Sequence, residues 1–484
     1  MGPARRPVWP TGAVSANLFA CLLACSVPAF IVAEPAGPGA LMRISVIGTG
    51  YLGAVHAACM AHLGHEVVGY DTDSAKMDAL SHGVAPFFEP DYEGLLQSAL
   101  ETGQLRFTTR AEDAVRGAEL HFICVGTPQQ SGSDAADLRF VESAVHTVAN
   151  LADREGLVAG KSTVPVGTAQ RLADELAGGN VGLELAWNPE FLREGKAVQD
   201  TLHPNRLVFG VTSEHAEKLL LEVYGKIIDN GTPYITTDLA TAEMVKTAAN
   251  AFLATKISFI NAMAEVCEMA NADIVTLSQA LGHDERIGHR FLNAGLGFGG
   301  GCLPKDIRAF GARAGELGAS DALTFLREID KINMRRRDKV VSVAGAMLGG
   351  DFLSKNVAVL GAAFKPNSDD VRDSPALNVA AAMHLKGAEV RVHDPKAIPN
   401  ARRKFPTLTY CSAVEDACRQ ADLIVLATEW DQYRNIDPNA LLAIVREPRV
   451  LDARIAINHE FWSAAGWHVY ALGRGTLNAK SIIR

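Results

Sequence analysis

The chain has 484 residues, enough for two to four domains at roughly 100–200 residues each. Hydrophobic content of 48% and charged content of 21% suit a protein that buries a large core, and a net charge of −9 with no long Lys/Arg run argues against a nucleic-acid surface. The eight cysteines show neither CxxC nor His–Cys spacing, so a zinc site or disulfide scaffold is not expected and a reducing, cytoplasmic compartment is.

Residues 1–41 stand apart. "MGPARRPVWPTG" is basic and proline-rich, "AVSANLFACLLACSVPAFIVA" is apolar, and "EPAGPGAL" is linker-like. A signal peptide or weak anchor is one reading, but Ser15, Asn17, Ser26 and Pro28 make a poor membrane span. The other reading takes Met42 as the start, with 1–41 disordered or outside the fold.

From Met42 apolar runs alternate with helical stretches: "RISVIG", "YLGAVHAACMAHLG", "EVVGYD", then "ELHFICVGTP", "GLVAGKSTVP" and "LELAWNPEFL". This predicts an α/β domain over 42–237, a parallel sheet with helices on both faces and ligand residues past the strands' carboxyl ends. From about Asp238 the period becomes helical for about 30 residues without proline or glycine, which predicts one long helix inside a helical region, 238–335, suited to subunit contacts. "NVAVLGAAF", "SPALNVAAAMHLKG" and "AEVRVHDP" open a second strand–helix–strand unit over 336–484, with Asp394 placed as Asp71 is in the first. The expected architecture is therefore two doubly wound Rossmann-like domains joined by a long central helix.

"GTGYLG" sets Gly48, Gly50 and Gly53 between a strand and a helix, where they allow a tight turn, close approach of a pyrophosphate, and helix–strand packing. Asp71, at the end of the next strand, can accept hydrogen bonds from a ribose diol and repels a 2′-phosphate, so NAD is expected over NADP. Lys76 is expected to reach the cofactor. A glycine turn without a ligand is the alternative. The second unit lacks this fingerprint and follows Gly361 with "AAFKPNSDDVRDSP", whose Lys365 and Arg372 suit phosphate or a merely solvated loop.

"GLGFGGGCLPKD" surrounds one cysteine with five glycines. Pro304 suits a first helical turn, so Cys302 is expected at a helix N-terminus, where the dipole and Lys305 favour a thiolate. The glycines at 297, 299, 300 and 301 would leave room for a bulky ligand. A buried structural cysteine is the alternative. "EMVKTAAN" sets Lys246 and Asn250 on one helix face, either a surface pair or a polar patch able to hold an oxyanion. No metal site is expected.

In order, "GTGYLG", "CVGTP", "KSTVPVG", "NPEFLREG", "EMVKTAANAFLATKIS", "RIGHRFLNAGLGFGGGCLPKD", "FKPNSDDVRDSP" and the arginine of "LDAR" resemble the UDP-glucose/GDP-mannose dehydrogenase family over essentially all of the chain from Met42. "DERIGHRFLNAG" is similar to the branch acting on UDP-glucose, and "GGGC" departs from that family's commoner "GGSC". The resemblance implies an NAD-dependent four-electron oxidation of UDP-glucose to UDP-glucuronate in nucleotide-sugar and polysaccharide biosynthesis, by a homodimer or higher homo-oligomer.

By that resemblance Cys302 is the nucleophile, and Lys246 and Asn250 stabilise the oxygen at C6. Thr163 and Asp306 hold a water, and Glu194 assists hydrolysis. Glu190, Phe191, Leu192, Phe291, Phe298 and Gly299 serve the sugar. Phe364, Lys365 and Arg454 hold the nucleotide sugar from the second domain, and Arg286 reaches a neighbouring subunit's site. Tyr51, Leu52, Thr127, Thr163, Glu194, Lys305 and Arg372 join Gly48, Gly50, Gly53, Asp71 and Lys76 around NAD. The rival readings are the same chemistry on GDP-mannose or a UDP-N-acetylhexosamine and, further off, a two-electron 3-hydroxyacid-type dehydrogenase, which has no need of Cys302 or a second sheet.

Overall fold

The computed structural model describes residues 41–178 and 181–474. The expectation for the first 41 residues therefore falls, except for Leu41, outside the described residues.

The first sheet has eight strands: β1 (Arg43–Ile47), β2 (Glu66–Tyr70), β3 (Leu105–Thr108), β4 (Leu120–Ile123), β5 (Gly156–Gly160), β6 (Leu183–Trp187), β7 (Leu207–Gly210) and β8 (Tyr234–Thr237). Their order is β3-β2-β1-β4-β5-β6-β7-β8. Ile44, Val46 and Ile47 of β1 are all buried, because apolar clusters cover both faces of a parallel sheet. One cluster gathers Ala54, Met60, Phe122 and Phe209, and the other gathers Val141, Leu172, Trp187 and Leu239.

A wholly parallel sheet was expected, but β7 runs antiparallel to β6, with Trp187 opposite Gly210. The intervening segment 188–206 contains only the short helix Ala197–Leu202. It turns back beside β6 instead of crossing a sheet face, as parallel neighbours require. This returning segment carries Glu190 and Glu194.

The long helix spans Leu239–Ala270. Asp238 caps it by accepting from the N–H of Thr241 at 2.8 Å, and Asn271 ends it with a left-handed φ of 55°. A 14-residue helix, Leu303–Glu316, and a 24-residue helix, Thr324–Met347, pack against it.

The second sheet comprises β9 (Asn356–Leu360), β10 (Glu389–His393), β11 (Thr409–Cys411), β12 (Leu423–Leu426), β13 (Arg449–Asp452) and β14 (His468–Ala471), all parallel in the order β11-β10-β9-β12-β13-β14. In each sheet the strand order reverses once beside the first strand, β1 or β9, and such reversals open a crevice at the strands' carboxyl ends.

The two crevices differ. In the first, Gly48 has φ +89°, a Cβ on Gly53 would fall 1.9 Å from the Gly48 carbonyl, and a Cβ on Gly50 would meet open space. Asp394 of the second is buried, and its Oδ2 accepts from the N–H groups of Ala362 at 2.7 Å and Ala363 at 3.0 Å and from Trp430 Nε1 at 3.2 Å. The next amide, Phe364, donates to the Asp370 carbonyl at 3.1 Å. The chain's own groups thus consume the amides that a dinucleotide phosphate would need.

Candidate active site

Cys302 is the N-cap of helix Leu303–Glu316, with Pro304 in the first turn, and its carbonyl accepts from the Asp306 N–H at 2.9 Å. The residue is open to solvent on one side and crowded on the other. The expected bias toward thiolate is reversed. Crowding pushes the thiol above its ordinary pKa, and the Asp306 carboxylate adds to this, outweighing the opposite pull of Lys246 and Lys305.

Behind the thiol lies a continuous polar chain. Asn250 Nδ2 donates to Asp306 Oδ2 at 2.7 Å, and Lys305 Nζ donates to Asp306 Oδ1 at 2.6 Å. Lys305 also reaches Thr127 Oγ1 at 3.4 Å, and that hydroxyl donates to the Thr163 carbonyl at 2.8 Å. A small cavity lined by Thr163, Thr247, Lys305, Asp306 and Arg313 adjoins the chain. Lys246 Nζ lies 5.6 Å from the centroid of the Phe191 ring, whose face also carries the Arg206 guanidinium at 4.0 Å.

Side chains at the loop glycines would meet protein rather than open space. A Cβ on Gly297 would meet Asn333 Oδ1 at 2.5 Å, on Gly299 the Asp373 carbonyl at 2.2 Å, on Gly300 the Phe364 ring at 2.9 Å, and on Gly301 the Arg372 guanidinium at 2.2 Å. The glycines at 299, 300 and 301 let the thiol loop close against the second sheet's loop, and Gly297 lets it close against helix Thr324–Met347. The Phe298 side chain is buried with Ala251, Ala254, Ile307 and Leu326 in the helical core. Phe291 is half-buried and holds a left-handed φ of 64°.

Glu194 joins the two sheets' loops. Its Oε1 accepts from Arg372 Nη2 at 3.1 Å and its Oε2 from Ser368 Oγ at 3.0 Å. Burial and the neighbouring Asp370 raise its pKa to about 7, against the pull of Arg372 and Lys365. Arg372 is held by Asp370 as well, at 2.7 Å. Glu190 is committed locally: Oε1 accepts from the N–H groups of Phe191 at 2.5 Å and Leu192 at 2.6 Å, while Oε2 lies 3.5 Å from Lys161 Nζ. Lys161 is itself buried, bonded to Asn188 Oδ1 at 2.9 Å and to the Tyr224 hydroxyl at 3.1 Å.

In the second domain Arg454 donates to the carbonyls of Ala427 and Gly297, both at 2.9 Å, and so spans the seam to the glycine loop. Lys365 Nζ lies 5.3 Å from the Phe364 ring centroid. Burial lowers the Lys365 pKa, opposed by Glu194 and Cys302. Arg286 is not brought to the thiol within this chain; it is exposed and paired with Asp284 at 2.6 Å.

The first crevice fits a dinucleotide. Gly50 faces open space, and Leu52 packs against the adjoining core. Asp71 Oδ2 accepts from the Thr49 N–H at 3.0 Å and from Lys76 Nζ at 2.8 Å, so Lys76 is drawn to the acid rather than outward. Burial raises the Asp71 pKa, but Lys76 and the amides of Asp73 and Thr49 prevail and hold it below the ordinary carboxylate value. Among the described residues no His/Cys/Asp/Glu cluster could hold a metal, and no helix is long and apolar enough to cross a membrane.

Sequence reasoning missed Glu89, Lys161, Glu243 and Ser368. Only Glu243 left a local signal, an acid one turn before Lys246 in "AEMVKTAAN".

A dinucleotide turn, a second sheet with its turn sealed, and a thiol between them define an NAD-dependent oxidoreductase. Residues 42–228 match the NAD binding domain of the UDP-glucose/GDP-mannose dehydrogenase family, 240–335 its central domain and 358–459 its UDP binding domain. The chain belongs to that family. It is 38% identical over 434 residues to a UDP-glucose 6-dehydrogenase of Rickettsia felis, covering 89% of this chain and 96% of the relative. A UDP-glucose dehydrogenase structure from Pyrobaculum islandicum superposes with a TM-score of 0.83 at 37% identity, covering 92% of this chain and all of that one. A UDP-D-ManNAc dehydrogenase structure from Pyrococcus horikoshii gives 0.79 at 29% identity, covering 90% and 100%.

Proposed function

We propose that this protein oxidises C6 of UDP-glucose to the carboxylate, giving UDP-glucuronate. The observation that carries the reading is the convergence of Cys302, Asp306, Asn250 and Lys305, with Lys305 reaching Thr127 past the carboxyl end of β4. A simple alcohol dehydrogenase needs no thiol, because one hydride transfer completes its reaction. NAD, when bound, accepts the hydride of each of two oxidations.

In the first oxidation the C6 hydroxyl loses its proton toward the Asp306 cluster while the C6 carbon gives up a hydride, leaving an aldehyde. Lys246 and Asn250 stabilise negative charge on the C6 oxygen. The Cys302 sulfur then bonds to the aldehyde carbon, and its proton leaves as the carbonyl π bond opens. Loss of a second hydride from that carbon gives a thioester. Water, deprotonated with help from Glu194, attacks the thioester; the C–S bond breaks, releasing the acid and the thiol. The raised thiol pKa means that the sulfur is deprotonated as it attacks, with Lys246 and Lys305 the nearby cations that favour this.

Lys365, Phe364 and Arg454 would hold the UDP portion from the second domain, and Arg372 would face the dinucleotide across the seam. Phe191 and Leu192 would border the sugar. We assign 42–237 to dinucleotide binding, 238–335 to assembly and 336–484 to the nucleotide sugar, and place the enzyme in the cytoplasm on its cysteine usage. The long helix leaves Phe252, Phe259, Val266 and Met269 exposed at near-heptad spacing, which supports a homodimer through this helix, and Arg286 would exchange its exposed pairing with Asp284 for the partner's site.

The test is the NADH yield per UDP-glucose consumed, with the product identified by mass. Two NADH and UDP-glucuronate are expected. One NADH with free aldehyde would refute the thiol chemistry. Higher kcat/KM on a UDP-N-acetylhexosamine or GDP-mannose would reassign the sugar.

A further inference from the structure

The Glu89 carboxylate lies outside every step above, yet three donors from two parts of the first domain meet on it. The Tyr51 hydroxyl and the Gly195 N–H, at 2.6 Å, both donate to Oε2, and the Ala197 N–H donates to Oε1 at 2.7 Å. Glu89 is 6% exposed. Tyr51 belongs to the dinucleotide turn, and Gly195 directly follows Glu194. Gly195 has φ +77°, and a Cβ there would lie 2.6 Å from the Asn367 carbonyl of the second sheet's loop, one residue before the Ser368 that bonds Glu194. The Glu194 turn is thus gripped from one side by Glu89 and from the other by the second domain.

We propose that Glu89 is a positioning residue for the release step: it locks the Glu194-bearing turn to Tyr51 so that Glu194 meets the thioester on Cys302. The inference rests on the thioester reading above. A carboxylate suits the place because both of its oxygens accept. A glutamine offers one oxygen and one NH₂, so one of the two backbone N–H groups would always face another donor. The turn must then shift, and small displacements of catalytic groups carry large rate penalties.

The experiment compares Glu89→Gln with wild type in the full chain, using rapid-mixing NADH kinetics and intact mass with UDP-glucose and NAD. The first hydride transfer should change little. Steady-state turnover should fall about tenfold or more, and enzyme carrying the sugar thioester on Cys302 should become the dominant mass. Glu194→Gln should accumulate the same adduct, and the double variant should lose little further, since the two residues act on one step. A general structural lesion would instead lower both phases in proportion. If Glu89→Gln does not fold, Glu89→Asp keeps both acceptors on a shorter stem and should accumulate less adduct, but measurably. A folded variant without accumulation, beside an active wild type, overturns the role of Glu89 alone. Wild-type protein that forms no thioester overturns both this inference and the reading of function.

Discussion

Asn250 Nδ2 and Asp306 Oδ2 are 2.7 Å apart, a buried hydrogen bond that ties the long helix to the helix that begins at Cys302. Asp306 is 2% exposed, and its other oxygen is taken by Lys305. Asn250→Ala leaves one buried carboxylate oxygen without its donor. We expect a loss of about 1–3 kcal/mol in urea unfolding. We also expect a slower first hydride transfer, because the C6 oxygen loses a donor. An unchanged first-turnover rate would show that Asn250 serves only to join the helices.

In the proposed release step Glu194 must be ionised to take a proton from water. With its pKa raised to about 7 by burial and Asp370, kcat should rise with pH through that region, and Glu194→Gln should abolish this limb of the profile. A variant that keeps the limb would assign it to another group.

Cys302→Ser separates the two oxidations. The first hydride transfer does not need the thiol and should survive in part. An adduct through the serine oxygen would oxidise to an ester, which releases its acid far more slowly because alkoxide leaves less readily than thiolate. Slow NADH release near two equivalents per site, with a covalent sugar ester, is expected, and Cys302→Ala should give no adduct. Near-normal turnover by either variant would make the cysteine structural.

Asp71, just past the end of β2, pairs with Lys76 at 2.8 Å. Asp71→Ser removes the repulsion of a 2′-phosphate and frees an ammonium to attract one. The ratio of kcat/KM for NADP over NAD should rise by about tenfold or more, the order expected for gaining one charge-assisted contact. No change in that ratio would separate Asp71 from cofactor choice.

Glu243 gives a pH dependence of folding. It is buried and accepts from the N–H groups of Gly167 at 2.7 Å and Ala169 at 2.6 Å, yet burial prevails and raises its pKa to about 7. A carboxyl whose folded pKa exceeds its unfolded value holds its proton more tightly when folded. Its stabilisation is therefore complete below about 4.5 and is lost as pH rises through about 7. Urea midpoints across that interval should fall less steeply for Glu243→Gln than for wild type. Parallel slopes would assign the dependence elsewhere.

The parts of the site legible in the sequence were those carried by short-range spacing. Gly48, Gly50 and Gly53 open a helix after a strand, Asp71 ends the next strand, and Pro304 marks the helix start that makes Cys302 an N-cap. Asn250 was legible from its helical offset to Lys246. What fills the glycine loop was not: Asn333, Phe364, Arg372 and Asp373 come from segments about 30 to 75 residues further along, and contacts over such separations leave no periodic trace. Glu89 escaped notice for the same reason, since its partners at 195 and 197 lie more than 100 residues away. Only the family resemblance assigns Phe298 to the sugar. Its burial among helical residues, where apolar area is removed from water, was not legible from the sequence.

The sealing of the second crevice by Asp394 has a kinetic consequence. A protein with two Rossmann-like sheets could in principle seat two dinucleotides and draw off both hydrides in one continuous event. With the amides after β9 spent internally, this chain has a single seat, and the half-oxidised sugar must outlast a change of its occupant. An aldehyde kept only by weak contacts could escape during that interval or react with other amines and thiols. A bond to Cys302 makes its residence independent of the exchange, so the fidelity of the reaction depends on a crevice that the protein has closed to a second dinucleotide.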